Sequence, residues 1–277
     1  MGLGPFSSRR PIWLFAAGLA GVFVLWVAVV ALPLLGGYPS VFDWLRDRSI
    51  STDTAKPPAT YDRNRLYSEL SDGGFTLGDA AHVRIFKRER VLELWLQRPE
   101  QQFALFKSYP ICAFSGGLGP KLAEGDKQAP EGFYRVASRQ LNPHSRHHLA
   151  FNLGFPNAYD RELERTGSAL MVHGGCTSVG CFAMTDPQID EIYTVVEAAL
   201  RQGHDMVDVA IFPFRLTEQA LGAETHSEWL PFWENLKQGS DLFERTGLPP
   251  KVAACKGRYI FGDAALQPGC TPITGWV

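Results

Sequence analysis

The pattern of hydrophobic and polar positions divides this chain into an apolar N-terminal segment and a longer part with ordinary amphipathic elements. Residues 11–35 contain no charged side chain and directly follow a pair of arginines. As a helix with a rise of about 1.5 Å per residue, the stretch would span roughly 37 Å, more than the ~30 Å hydrocarbon core of a bilayer. We therefore expect a cytoplasmic tail at 1–10, a transmembrane signal anchor at 11–35, and export of the rest. Small residues at Val29 and Ala31 leave a late cleavage open.

The next segment combines proline with serine and threonine and predicts a linker. It covers residues 36–60, and a short helix at 41–48 fits within it. A second short helix is expected at 61–70, closed by an Asp-Gly-Gly sequence. The folded, exported domain should then occupy 61–277.

Alternation with a period of two begins at residue 82 and predicts strands. Residues 82–97 carry apolar side chains at every second position on either side of a turn at 87–90, which indicates a hairpin. A Gly- and Pro-bearing loop is expected at 116–131. Because few helices separate the early strands, we expect a β-rich α+β domain with mostly antiparallel strands. Further strand-like stretches lie at 103–115, 132–138, 147–155, 168–174, 206–214 and 257–262.

Two later stretches follow the period of a helix. Asp186 is a good N-cap residue and Pro187 a good first helical residue, and the apolar spacing continues until Gly203 can end the helix. Residues 227–246 predict a second helical region, interrupted near Gly239.

Composition and charge exclude some functions. The chain has 277 residues and a formal net charge of −2, and it contains no run of lysine or arginine that would suit nucleic acid. It has five cysteines, so at least one thiol is left unpaired in a compartment where disulfides can form.

The stretch "VHGGCTSVGCFAMTD" at 172–186 concentrates the candidate chemistry, and three interpretations compete for it. A zinc site would use His173, Cys176 and Cys181, but it needs a fourth ligand and lacks the usual C-x2-C pair. A Cys176–Cys181 disulfide is possible, although such a short loop would gain little stability. A disulfide between Cys255 and Cys270 is more plausible, and neither bridge explains the nearby histidine.

The third interpretation is a cysteine nucleophile. Cys181 would attack, His173 would take its proton, and backbone N–H groups around Gly180 and Cys181 would face the developing oxyanion. A thiolate paired with an imidazolium has a lowered pKa. For a lone His–Cys pair, an ordinary strand-end histidine beside a buried thiol is the favoured interpretation. The histidines at 144, 147 and 148 are interpreted as loop and strand residues, because no cysteine or carboxylate spacing completes a metal site with them.

This stretch resembles the signature of the YkuD-type L,D-transpeptidases, which is His-Gly, a spacer, and Ser/Thr-x-Gly-Cys. The matching residues are His173-Gly174 and Ser178-Val179-Gly180-Cys181. The family usually has a second histidine where Val179 stands, and a longer spacer. Both departures are features of the YafK-like subgroup, which the chain resembles over nearly all of its exported part. Supporting stretches are "LELWL", "GPKLAEGDKQAPEGFYRV", "FNLGFPNAYDR", "RTGSALMVHGGC", "GCFAMTD" and "IFPFR".

The resemblance implies a YkuD-like catalytic core at about 81–215 with a C-terminal extension at 216–277. It implies Cys181 as nucleophile, His173 as proton donor and acceptor, the Gly174 carbonyl or a nearby hydroxyl as the group that orients His173, and Gly180 in the oxyanion region. Cys176 is expected to be a local structural residue. No cofactor and no metal are implied. The domain would be periplasmic or otherwise extracytoplasmic, anchored in the inner membrane.

The implied substrate is a peptidoglycan stem peptide. The cysteine would attack the carbonyl of the L-centre of a diamino acid, expel D-alanine, and pass the thioester to an amine. With water as acceptor, the same fold would act as a carboxypeptidase or amidase, or detach a peptidoglycan-linked lipoprotein. An inert peptidoglycan-binding protein is a weaker alternative. Candidate substrate-binding residues are Ser178, Arg146, Asn152, Asn157, Tyr159 and Arg165, with Ser145 and Arg215 in similar stretches.

Overall fold

The computed structural model of the chain describes residues 60–99 and 102–276. The expected tail at 1–10, the anchor at 11–35 and the short helix at 41–48 lie outside the described residues. Within the described part of the chain, no helix is long and apolar enough to cross a membrane.

The described residues form two five-stranded sheets, one three-stranded sheet and several helices. The helices are α1 (Arg63–Asp72), α2 (Ala158–Glu162), α3 (Asp186–Arg201), α4 (Glu218–Gly222) and α5 (Leu230–Thr246). The strands are β1 (Ala81–Phe86), β2 (Val91–Gln97), β3 (Phe103–Pro110), β4 (Ala113–Phe114), β5 (Gly132–Val136), β6 (Leu141–Ser145), β7 (His148–Asn152), β8 (Met171–His173), β9 (Phe182–Ala183), β10 (Val207–Phe212), β11 (Val252–Cys255), β12 (Arg258–Phe261) and β13 (Thr271–Pro272).

The first sheet has the strand order β3-β2-β1-β10-β5. The predicted hairpin is confirmed as β1 and β2, which pair antiparallel across the turn at 87–90. β1 also pairs with β10 in parallel, so the sheet is mixed. The two strands of that parallel pair are buried over almost their whole length, as expected for strands covered on both faces.

The second sheet has the order β4-β9-β8-β7-β6, and the third the order β12-β11-β13. β8 and β9 are parallel, and the other pairs of the second sheet are antiparallel. The expected β-rich α+β class is therefore confirmed, with one parallel pair in each five-stranded sheet. The stretch at 257–262 forms β12 in the third sheet, where the expected Cys255–Cys270 disulfide also lies.

Helix α3 packs between the two larger sheets. It contacts β7 on one side and β1 and β10 on the other, and its apolar face includes Ile189, Ile192 and Val196, which are fully buried. Its N-cap is Thr185 rather than Asp186, because the backbone N–H of Thr185 donates to the side-chain oxygen of Gln188 at 2.9 Å in a capping box. The carboxylate of Asp186 is therefore available to accept a hydrogen bond from the loop that precedes the helix.

Helix α5 runs without interruption through Gly239, contrary to the expected break there. A Cβ atom at this position would lie 2.5 Å from the ring of Phe261 and 2.6 Å from the ring of Phe133. The glycine therefore allows the helix to approach the sheets closely, and this gain in packing outweighs its low helix propensity.

A buried ion pair joins three distant parts of the fold. Lys87, in the β1–β2 turn, donates to the carboxylate of Glu131 at 2.9 Å and to the carbonyls of Gly119 and Ala129 at 2.9 and 3.0 Å. Glu131 also accepts from the backbone N–H of Gly119 and from the indole of Trp233 in α5. Both charged side chains are fully buried, so every donor and acceptor of the pair has to be satisfied internally.

We predict that Lys87→Met lowers the free energy of unfolding by about 3–5 kcal/mol, because it leaves the Glu131 carboxylate buried without a counter-charge. Urea denaturation followed by tryptophan fluorescence measures the effect. Lys251→Met is the matched control, because Lys251 faces Asp263 at 3.7 Å in solvent and its loss should change little. Equal small losses in both variants would contradict the prediction.

Candidate active site

The parallel pairing of β8 and β9 brings the two ends of the candidate motif together. The register pairs Val172 with Phe182 and His173 with Ala183. Cys181 directly precedes β9 and is thereby placed beside the start of β8, where the backbone N–H of Met171 donates to its Sγ at 3.4 Å. His173 and Cys181 line the same open cleft, which has a volume of about 570 Å³.

The walls of this cleft come from two separate segments of the chain. The β6–β7 hairpin, whose turn consists of Arg146 and His147, supplies one wall. The entrance to β8 and the loop before β9 supply the other. The remaining lining residues are Asn142, Ser145, Ala169, Met171, Thr177, Ser178 and Val179, so no aspartate or glutamate is among the described residues that line the cleft.

His173 is fixed by a hydrogen bond to its own neighbour. Its Nδ1 lies 2.6 Å from the carbonyl oxygen of Gly174, so this nitrogen carries the proton and donates it. The Nε2 atom then has a free lone pair and can accept a proton. Burial lowers the pKa of His173 below its usual range; the hydrogen bond to Gly174 acts in the opposite direction, and the neighbouring His147 also lowers the pKa. The imidazole is therefore neutral near pH 7.

A side chain at position 174 would crowd its neighbours. A Cβ atom there would lie 2.7 Å from the carboxylate of Asp186 and 3.0 Å from the carbonyl oxygen of His147. The same carboxylate accepts the backbone N–H of Gly175 at 2.8 Å. The start of α3 and the β6–β7 turn thus hold the two glycines, and with them the carbonyl that His173 uses.

Ser178 binds the backbone of Cys181 rather than pointing freely into the cleft. Its hydroxyl accepts the N–H of Cys181 at 3.0 Å and donates to the carbonyl oxygen of Cys181 at 2.7 Å. Ser115 in turn donates to the carbonyl oxygen of Ser178 at 2.9 Å. The N–H of Cys181, expected to face an oxyanion, is therefore occupied in this arrangement.

Gly180 makes the turn that precedes the candidate nucleophile. It is buried and has a φ of +91°, a conformation that a residue with a side chain rarely adopts. A Cβ atom there would also lie 3.2 Å from the side chain of Leu170. Glycine at this position therefore lets the loop double back so that Cys181 can enter β9.

Cys181 is a free thiol and is partly buried. Burial raises the pKa of the thiol, although the N–H of Met171 and the ammonium group of Lys121 act in the opposite direction. Together with the lowered pKa of His173, this places a neutral thiol in the same cleft as a neutral imidazole. Both shifts thus favour the neutral groups over the thiolate–imidazolium pair expected from the sequence.

Cys176 forms a disulfide with Cys112, 64 residues earlier in the chain, with their Cα atoms 5.2 Å apart. This long-range tether holds the loop between β8 and β9 against the start of β4. A disulfide sulfur is not a thiolate ligand, so His173, Cys176 and Cys181 cannot form the zinc triad considered from the sequence. The described residues contain no cluster of three or more histidine, cysteine or acidic side chains that could hold a metal ion.

The loop at 116–131 supports the site from outside the cleft. The carboxylate of Asp126 accepts from the ammonium group of Lys121 at 2.5 Å and from the backbone N–H groups of Leu122, Ala123 and Gln128. Burial opposes ionisation of Asp126, but the hydrogen bond from Lys121 and those from the backbone bring its pKa to about 2. The loop is therefore fixed at neutral pH.

The structure places Ser145, Arg146 and Ser178 in the cleft, but not the asparagines expected to bind substrate. Asn152 is buried and accepts the N–H of Gly154 at 2.8 Å. Asn157 is the N-cap of α2 and donates to the carbonyl oxygen of Phe133 and to the hydroxyl of Tyr259. Both side-chain amides thus form hydrogen bonds within the folded framework.

The expected aromatic and cationic substrate ligands outside the cleft are also framework residues. Tyr159 is buried and stacks on Tyr259, with ring centroids 4.1 Å apart. Arg165 pairs with the buried Asp160 at 3.0 Å and lies over the Tyr159 ring. Arg215 pairs with Glu93 at 2.5 Å. Because these arginines are paired within the framework, they are not available to a substrate carboxylate.

The sequence interpretation missed His147. Its ring centroid lies 4.7 Å from that of His173, with an angle of 36° between the planes. The backbone carbonyl oxygen of His147 also lies close to Gly174. One signal in the sequence could have suggested His147. Val179 stands where the signature usually has a second histidine, so another histidine from elsewhere in the chain was a candidate to take its place.

Comparisons with known proteins agree with the geometry. A family model described as the L,D-transpeptidase catalytic domain, YkuD, matches residues 81–209, which include the whole stretch from His173 to Cys181. The Escherichia coli K12 protein named "Putative L,D-transpeptidase YafK" is 48% identical over 184 residues, which cover 66% of this chain and 74% of that protein.

Two solved structures are more distant. The helical cell shape determining protein Pgp2 from Campylobacter jejuni is 19% identical with a TM-score of 0.39, covering 54% of this chain and 56% of that one. Bd1075 from Bdellovibrio bacteriovorus is 17% identical with a TM-score of 0.35, covering 61% and 59%. The family match and the identity to the Escherichia coli relative decide the assignment: this chain belongs to the YkuD family of L,D-transpeptidase catalytic domains.

Proposed function

We propose that this protein is a cysteine-dependent L,D-transpeptidase that acts on peptidoglycan stem peptides through a thioester on Cys181. The observation that carries the proposal is the parallel pairing of β8 and β9, which delivers a free thiol and an oriented, neutral imidazole to one open cleft. Family membership supplies the reaction class, and the cleft supplies a thiol and a base for it.

The neutral resting state sets the order of proton transfers. As Sγ of Cys181 attacks the carbonyl carbon of the diamino acid's L-centre, Nε2 of His173 takes the thiol proton. The imidazolium then gives this proton to the amine of the departing D-alanine, and the thioester forms. An incoming amine attacks the thioester, His173 takes its proton, and the thiolate of Cys181 recovers a proton from His173 as it leaves.

The oxyanion of each tetrahedral intermediate requires hydrogen-bond donors in the same loop. Because the N–H of Cys181 donates to Ser178, the N–H of Gly180 is the better placed of the two expected donors. Ser178 contributes by fixing the backbone of the nucleophile through two hydrogen bonds. Its proposed part is therefore to position Cys181 rather than to bind substrate.

Arg146 is the proposed ligand for a carboxylate of the donor peptide. It is exposed in the β6–β7 turn, lines the cleft, and makes no ion pair with any described residue, in contrast to Arg165 and Arg215. The leaving D-alanine carries a terminal carboxylate, and no acidic side chain among the described lining residues competes for the guanidinium. A bidentate contact would orient the scissile bond.

Cys181→Ala should abolish the covalent adduct that forms with a stem peptide ending in a diamino acid and D-alanine. Intact-mass analysis of the full chain in detergent measures the adduct. The paired variant Cys255→Ala/Cys270→Ala is the control, because that disulfide lies in the third sheet and its loss leaves Cys181 in place. An adduct on Cys181→Ala, or none on the wild type, would contradict the proposal.

The same reaction mixture separates the two candidate acceptors. With a D-amino acid added, a transpeptidase exchanges it for the terminal D-alanine, whereas a hydrolase releases a shortened peptide. The cleft is open to water, so hydrolysis, including release of a peptidoglycan-linked lipoprotein, is the second candidate function.

Arg146→Gln should lower kcat/KM for this donor by roughly 10-fold or more, because a hydrogen bond to a charged group contributes about 1.5–3 kcal/mol. Initial rates of D-alanine release give the value. Arg201→Gln is the matched control, since Arg201 is exposed on α3, away from the cleft, and pairs with Glu197. A donor with an amidated C-terminus should be equally slow with wild type and Arg146→Gln; a persistent difference would contradict the carboxylate contact.

We further propose that the domain lies outside the cytoplasm, tethered in the inner membrane by residues 11–35, where its substrate is found. A reporter that is active only outside the cytoplasm should be active when fused after residue 277. A cytoplasm-specific reporter that is active at the same position would contradict this topology.

A further inference from the structure

The β6–β7 turn covers the segment that holds His173. The carbonyl oxygen of His147 lies 3.0 Å from the place where a Cβ of Gly174 would stand, and its ring Nδ1 lies 3.5 Å from the corresponding place at Gly175. The N–H of His147 donates to the hydroxyl of Ser145 at 3.1 Å, which fixes the turn. The ring of His147 is thereby held against the ring of His173, at 4.7 Å between centroids.

We propose that His147 is a positioning residue that packs against the imidazole of His173 and disfavours a positive charge on that ring. The inference rests on the proposed function of His173 as the base. It adds a second titratable group to the site, supplied by the β6–β7 hairpin and not by the β8–β9 segment that carries the motif.

The two rings differ in their access to solvent. His147 is exposed, so water stabilises its cation, whereas His173 is 4% exposed and its cation would lose hydration. Two like charges at this separation repel each other, so His147 disfavours the cation of His173. The buried ring of His173 thereby keeps the free lone pair that it needs to accept the thiol proton.

Other charged groups near His173 do not contact its ring as His147 does. Asp186 lies behind Gly174 and Gly175, where its carboxylate accepts the N–H of Gly175. His148 pairs with Asp190 at 2.8 Å. Lys121 is held by Asp126, and Arg146 lies in the same turn as His147 and is permanently charged. Of these groups, His147 is the titratable one whose ring contacts His173.

The sign of the effect follows from the direction of the shift. Burial and His147 lower the pKa of His173 against the opposing hydrogen bond to Gly174, so the base becomes protonated only at a pH below the usual range for histidine. Removing the charge at position 147 raises this pKa. The acid limb of acylation should then move to higher pH, and the rate in mildly acidic buffer should fall relative to the rate in mildly alkaline buffer.

The test is an NMR titration of the full chain in detergent with ¹³Cε1-labelled histidine. His147→Phe retains an aromatic ring and removes the charge, and His147→Ala removes both. We expect the His173 midpoint to rise by about 0.5 to 1 unit in both variants. The acylation rate in mildly alkaline buffer should fall further in His147→Ala than in His147→Phe, since only the latter retains the ring contact.

His144→Ala is the matched control, because His144 is exposed on the same hairpin and does not line the cleft. It should leave the His173 midpoint unchanged. An unchanged midpoint in His147→Phe, or an equal shift in His144→Ala, would overturn the proposal. The titration needs no substrate, so it tests the contact between His147 and His173 even if the wild-type chain forms no acyl-enzyme and the proposed function fails.

Discussion

The buried pair of Lys87 and Glu131 fixes the positions of the segments that surround the site. It joins the turn of the first hairpin, the long loop at 116–131 and helix α5 through one fully satisfied set of hydrogen bonds. Buried charges are tolerated only when each has its partners. The loop therefore cannot move far without exposing one of these charged groups to solvent or leaving it without a hydrogen-bond partner. Ser115, just before this loop, binds the carbonyl of Ser178, and the turn that carries Cys181 is thereby tied to the same framework.

The site is assembled from segments that are distant in the chain and is held by short-range contacts at each junction. The Cys112–Cys176 disulfide fixes the loop between β8 and β9, and Asp186 at the start of α3 holds Gly175 within it. Such support matters because a general base and a nucleophile must keep their relative geometry to within a fraction of an ångström. The expected nucleophile and base line the same cleft, and burial disfavours the charged form of each.

The two-residue turn of the β6–β7 hairpin gives the cleft its asymmetry. It presents Arg146 and His147 side by side, one free of any ion pair among the described residues and the other packed on His173. The opposite wall is apolar or carries hydroxyl groups, as at Met171, Thr177 and Val179. The proposed donor peptide has one anionic end, which this asymmetry would place on the Arg146 side of the cleft.

The local sequence pattern was sufficient to predict those strands, helices and motifs that depend only on residues close together in the chain. Period-two alternation identified the first hairpin, and the capping and apolar spacing identified α3 to within a residue. The motif from His173 to Cys181 is equally local, and its match to the family model requires no coordinates.

The contacts between distant groups became visible only in the folded chain. Periodicity could not show that Gly239 makes room for two phenylalanine rings, that Cys176 bonds to Cys112, or that His147 packs on His173. Nor could it show that Arg165 is paired with Asp160 inside the framework. Each of these depends on packing between separate segments, and the free energy of such contacts is set by burial and distance, which a linear pattern does not contain.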